Sequence, residues 1–213
     1  MNRTTTIWTF VITSVALFMA TLDNLVVTTS LPVIRTDLGA SIEDLEWTVN
    51  AYTLSFAVFL LMGAALGDRF GRRRLFVIGL GIFTAASVAA ALAPSVEALI
   101  AARAVQGLGG AIVTPLTLTI LSAAVSPEKR GVAFGAWGGI GGLAIAFGPV
   151  VGGAVVEGIA WQWIFWLNVP IGIVLLTIAL TRLTESTGPN RSLDLPGLGL
   201  ASAGLLGIVY GIV

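Results

Sequence analysis

The sequence predicts an all-α integral membrane protein, a bundle of six membrane-crossing helices followed by a seventh. Three observations predict it. The 213 residues are 56% hydrophobic and 10% charged, where a soluble domain carries about 25% charged residues, and the mean hydropathy is +0.98. Charge-free stretches recur at about the 20-residue length that crosses a bilayer as a helix. Basic residues gather in alternate loops, the signature of a multi-pass topology. Barrel strands would instead run about ten residues with period-two alternation, and no such pattern occurs.

Composition excludes several function classes. Eleven basic and eleven acidic residues cancel, so no positive excess suggests a nucleic-acid partner. The chain has no Cys and no His. Disulfides, thiolate nucleophiles, the commonest metal ligand and the commonest general base are therefore all missing. Neither a cofactor nor a metal site is expected, and an enzyme is not the expected reading.

In chain order, the spans are expected near 6–31, 45–67, 74–93, 97–122, 131–156, 161–182 and 195–213. The first is too long, with too few basic residues before it, to be a cleaved signal peptide. Ala93, Pro94 and Ser95 separate the third span from the fourth. Ser126 before Pro127, with Glu128 in the first turn, starts the fifth. Pro32, Pro115 and Pro170 are kink or end markers. The stretch 183–194 is the longest polar segment and the only plausible linker. The expected organisation is thus a bundle over 1–182, a linker over 183–194 and a seventh helix over 195–213.

One set of alternate loops holds Arg3, Arg69, Arg72, Arg73, Arg74, Lys129, Arg130, Arg182 and Arg191, while the other holds Arg35 alone. The N-terminus is therefore expected in the cytoplasm of a cell (inner) membrane protein. Asp37, Glu43, Asp44, Glu97 and Glu157 fall in the opposite loops. Trp8, Trp47, Trp161 and Trp163 are placed as interfacial aromatics.

Asp23 and Arg103 are the two charges well inside spans, each costing roughly 2.5–3.5 kcal/mol at a helix centre. Counting 1.5 Å per residue puts both very roughly 10 Å below the outer surface. If the first and fourth helices touch, the charges offset each other's desolvation. One reading is an ion pair that only fixes packing. The other is an Asp23 that exchanges a proton or binds a cationic substrate, with Arg103 as its partner. Arg103, Gln106, Gly110, Thr114 and Thr117 share one helical face by their spacing, a face suited either to a water-filled cavity or to packing.

In the fifth span, Gly135/Gly139, Gly138/Gly142 and Gly148/Gly152 are pairs four apart that permit close backbone approach. Pro149 interrupts the same helix. In the loop after the second span, Gly67 and Gly71 permit a tight turn. Asp68 there is placed to pair with Arg72 or Arg73, or to cap a helix N-terminus.

These motifs resemble those of the major facilitator superfamily. Gly63, Gly67, Asp68, Arg69, Gly71, Arg72 and Arg73 fit its signature loop. Ala101 to Ala111, with Arg103, resembles its helix-four motif, and Gly148, Pro149, Gly152 and Gly153 its antiporter motif. Thr21 to Pro32 and Trp161 to Gly172 resemble the fourteen-helix drug:proton antiporter branch, with Asn24-Leu25-Val26 departing from the branch's usual continuation after Asp23. The resemblance implies the six-helix N-terminal half of the fold, a 3+3 inverted repeat. It implies Asp23 and Arg103 as the proton-coupling pair and Asp68, Arg72 and Arg73 as a cytoplasmic latch. Gly138, Gly142, Gly148, Pro149, Gly152 and Gly153 would form the half-interface, with Gln106, Gly110 and Thr114 lining a cavity.

The implied function is proton-coupled efflux of amphipathic or cationic drug-like compounds. The partners would be a small molecule, protons, the bilayer and a second transporter half. Since the resemblance covers one half, the chain is expected to be an N-terminal fragment, or a half that pairs with a separate chain or with a second copy. The alternatives are a sugar or metabolite symporter or facilitator of the same superfamily, or a non-transporting membrane scaffold. A retinal protein needs a Lys in a late helix, and the only Lys is Lys129. An intramembrane protease needs two membrane Asp, or Ser with His or Lys, or a metal.

Overall fold

The computed structural model describes residues 3–188 and 194–212. Arg191, the middle of the expected linker, the terminal Val213 and the side chain of Glu157 lie outside the described residues. Among the described residues the order is α1 (Arg3–Leu38), α2 (Ile42–Phe70), α3 (Arg72–Ala91), α4 (Val96–Ala124), a 3-10 turn (Pro127–Lys129), α5 (Arg130–Gly158), α6 (Trp163–Trp166), α7 (Asn168–Arg182) and α8 (Leu195–Ile212). Six helices are long and apolar enough to cross a membrane, α6 and α7 together making the sixth. The expected seventh span is a shorter apolar helix, and α8 packs beside α2. Its Ser202 hydroxyl donates to the Val58 carbonyl at 2.8 Å.

Local signals set the helix ends. Ser41 and Asp44 form a reciprocal capping box at α2, and Ser95 caps α4 by accepting from the Ala98 N–H. Ser126 precedes Pro127 as expected, but its side chain makes no cap bond. α1 runs seven residues past its expected end because Pro32 does not stop it. At about 54 Å it is longer than a hydrocarbon core of about 30 Å. The expected sixth span breaks after Trp166, and Pro170 explains it. Proline has no N–H to donate to the carbonyl four residues back, at Trp166.

The packing is symmetric between the first and second three spans. α1 lies on α5 as α4 lies on α2, and α3 lies on α4 as α7 lies on α1. Glycines bring α2 and α4 together: a Cβ on Gly63 would meet the Ala111 carbonyl at 2.7 Å, and one on Gly67 would strike Leu116. Gly67 is therefore a packing residue inside α2 and not, as expected, a turn residue. The turn belongs to Gly71, whose φ of 110° favours glycine.

Two apolar clusters fill the bundle. One, with Phe76, Leu80, Phe83, Leu116 and Ile120, lies toward the end that carries Arg3, Arg72 and Arg182. The other, with Val27, Ile34, Leu99, Trp161 and Phe165, lies toward the end that carries Asp37 and Glu97. Trp161 is a correction to the expected aromatic belt. It is 2% exposed, and its indole N–H donates to Asp37 at 2.7 Å, which ties the end of α1 to the start of the sixth span.

Candidate functional site

Between the two apolar clusters lies a layer of buried polar side chains. Asp23 from α1 and Arg103 from α4 meet at 2.6 Å, their side chains 1% and 0% exposed. The pair and its partners come from five of the spans. Asp23 Oδ2 accepts from Arg103 Nη1. Oδ1 accepts from Gln106 Nε2 at 2.9 Å and from Asn168 Nδ2 at 2.6 Å. Gln106 also donates to the Ser87 hydroxyl at 2.9 Å. That hydroxyl in turn donates to the Phe83 carbonyl within α3.

Arg103 is also held by groups other than Asp23. Nη1 also donates to Gln106 Oε1 at 2.6 Å, and Nε donates to the Thr48 carbonyl at 3.3 Å. Its guanidinium lies 4.3 Å from the centre of the Tyr52 ring and 5.9 Å from that of Phe165. Nη2 is buried with no hydrogen-bond partner. A carboxylate and a guanidinium persist together in a low-dielectric interior when most of their hydrogen bonds are made, as all but those of Nη2 are among the described contacts. Ser87, Asn168, Tyr52 and Thr48 were not singled out from the sequence. Asn168 was readable in principle, as an amide at the depth of Asp23 two residues before a helix-breaking proline.

On the other side of Tyr52 an open groove of about 280 Å³ runs along α1, α2, α4 and α5, lined by Ala20, Thr21, Asn24, Leu25, Tyr52, Thr53, Phe56, Thr114 and Ile145. Of the expected cavity residues Thr114 lines it. Gln106 lies in the buried polar layer, and Gly110 backs onto Tyr52, where a Cβ would come within 2.9 Å of the phenol oxygen.

The second polar site lies at the basic end. Asp68 pairs with Arg72 one turn on, Nε to Oδ1 at 2.7 Å. The segment after α7 straps across this loop. Glu185 accepts from the Arg73 N–H at 3.0 Å and the Arg74 N–H at 3.2 Å, which caps the start of α3. The Ser186 carbonyl accepts from the Arg72 N–H at 2.8 Å, and the Gly188 N–H donates to the Asp68 carbonyl at 2.9 Å. Arg73 Nη1 donates to the Leu183 carbonyl at 3.3 Å. Arg69 lies over the Phe70 ring instead. Glu185 was not anticipated, because its partners are about 110 residues away in the chain.

The α5 glycines divide between two faces. Gly141, Gly148 and Gly152 face α1, where added Cβ atoms would meet Leu17, Leu25 and Thr29. Nothing lies within 4 Å of a Cβ on Gly135, Gly138, Gly139, Gly142 or Gly153. Of the three expected close pairs, only Gly148/Gly152 packs within this chain, because the other two sit on the face turned from α1. Pro149 is exposed beside them.

The model of the Major Facilitator Superfamily matches residues 13–211. The chain belongs to this superfamily. Among its curated members, the chain is 36% identical over 207 residues to the tetracenomycin C resistance and export protein of Streptomyces glaucescens, covering 96% of this chain and 38% of that protein. It is 38% identical over 215 residues to the multidrug resistance protein Stp of Mycobacterium tuberculosis, covering 100% of this chain and 40% of that protein. The chain thus spans about two fifths of the length of these relatives. Among solved structures, a peptide transporter in complex with sulfate superposes with a TM-score of 0.75 at 18% identity, over 96% of this chain and 44% of that one. At that identity the likeness is one of fold alone.

Proposed function

We propose that the chain forms one half of a proton-driven exporter of amphipathic, drug-like compounds across the cell membrane. The observation that carries this reading is the Asp23–Arg103 pair buried between two apolar layers in a member of this superfamily. Asp23 is the group that takes and releases the proton. Protonation removes the charge facing Arg103 and turns an acceptor oxygen into a donor, so Gln106 and Asn168 must rearrange. Because these residues come from α1, α4 and α7, a proton on Asp23 alters how those spans pack. That is how a small event biases a two-state bundle. No catalytic role is assigned to any residue.

The names of two relatives, one for resistance and export and one for multidrug resistance, support the cargo class. The groove along α1, α2, α4 and α5 is this half's share of the cargo site, with Thr114 on its wall. The basic end faces the cytoplasm, where Asp68, Arg72 and Arg73, with Gly67, Arg69 and Gly71 shaping the loop, latch against the second half. That half is a separate segment or a second copy. Residues 1–182 form the bundle, 183–194 the linker and 195–213 the next helix. The bare α5 face, with Gly138, Gly142 and Gly153, meets the other half.

The test is a chimera joining this chain to the C-terminal half of the multidrug-resistance relative, in energised inverted vesicles. An amphipathic aromatic dye should trigger proton release, and Asp23→Asn should abolish it. No release from the intact chimera would sink the transport reading. Release that persists in Asp23→Asn would remove Asp23 from the coupling role.

A further inference from the structure

Resting on that transport reading, we infer that the groove selects an uncharged aromatic part of the cargo and that Asp23 is not a direct partner for a cationic one. Asn24 and Tyr52 are the residues that set this selection. None of the groove's lining residues is charged. Asp23 stands next to Asn24 in sequence but about 100° around the helix, where it is 3% exposed. Both of its oxygens are already taken.

Tyr52 stands between the two environments. One face of its ring meets the Arg103 guanidinium at 4.3 Å, while the residue lines the groove. Its ring lies nearly parallel to that of Phe56, at 16° with centres 6.0 Å apart. A cationic cargo therefore finds no carboxylate here, and the Tyr52 face best suited to a cation already holds one. A flat neutral ring system finds Phe56 and the small exposed part of Tyr52 in the groove wall.

Asn24 supplies the polar reading. It is half-buried in the groove wall, and its Oδ1 is buried without a hydrogen-bond partner. Turned into the groove by side-chain rotation, an amide left partly unsatisfied gains most from a neutral ligand group that hydrogen-bonds to it. Thr21, Thr53 and Thr114 add short hydroxyls around the same space. The expected cargo is a planar aromatic compound bearing hydroxyl or N–H groups and no fixed charge at this end.

The experiment uses the 213-residue chain in nanodiscs, with binding to empty nanodiscs subtracted. The probes are 2-naphthol, its methyl ether and the 2-naphthyltrimethylammonium cation. 2-Naphthol should bind roughly 3- to 10-fold tighter than the ether, the scale of one neutral hydrogen bond, and the cation should bind weakest. Asn24→Leu should equalise naphthol and ether. Tyr52→Leu should weaken naphthol and ether alike by removing the ring and should not favour the cation, because it bares the Arg103 guanidinium; Tyr52→Phe should keep both. Saturable binding led by the cation, or no preference between naphthol and ether in the unaltered chain, would overturn this inference and leave the transport reading standing. That ligand comparison needs no variant to fold. No saturable binding of any probe, together with a silent chimera, would overturn both.

Discussion

Asp23 and Asp68 are each joined to an arginine at nearly the same distance, 2.6 and 2.7 Å, yet they occupy opposite physical settings. Asp23 reaches across 80 residues to a partner on another helix, inside a buried layer and with three donors. Asp68 pairs with a residue one turn away, its side chain 35% exposed, at the mouth of the bundle. The first pair cannot lose a member without stranding a charge. The second loses little, because water replaces the partner. Distance alone is thus a poor guide to what an ion pair does, and burial and the other hydrogen bonds decide it.

The comparison breaks most visibly at Asp23. Asp23→Leu should destabilise the bundle by about 3–5 kcal/mol, the scale for removing one partner of a buried pair, read as a lowered midpoint in detergent unfolding. The double variant Asp23→Asn with Arg103→Gln should fall well short of the sum of the singles. Strict additivity would mean that the two charges do not support each other. Next, Asn168→Leu should cost about 1–3 kcal/mol by removing a donor from a buried carboxylate, while the same change at half-buried Gln162, whose amide reaches Asp37 only at 3.4 Å, should cost less.

Glu185→Gln comes third, at about 0.5–1 kcal/mol for a charge at a helix N-terminus. Hydrogen exchange should quicken at the first turn of α3 and not in α4. Asp68→Asn is smallest in stability, about 0–1 kcal/mol. Its effect should shrink further in about 1 M salt, where screening reaches about 3 Å, while the Asp23 penalty should persist. A salt-sensitive Asp23 penalty would show that water reaches the buried pair.

Much of this was legible from the residues. Asp23 and Arg103 could be matched by counting helical rise from each loop, because a charge in an apolar run is rare and depth follows from residue number. Ser87, Asn168 and Tyr52 could not be matched in that way. Ser and Tyr are ordinary in membrane helices, and their role depends on which face of the helix turns inward. Trp161 was placed at the bilayer interface because aromatics collect there, but a carboxylate on α1 gave its N–H a better partner. The six spans followed from charge spacing. The break after Trp166 followed less readily, since a proline three residues into a new helix and one late in an old helix look alike in sequence.

The uncovered side of α5 carries a mechanical consequence. Helices lock their relative positions by seating side-chain ridges in grooves, and Gly135, Gly138, Gly139 and Gly142 supply no ridge. A helix laid along this surface meets a nearly featureless track. It can shift or tilt without lifting one tooth over the next, so friction against sliding is low where the molecule is smoothest.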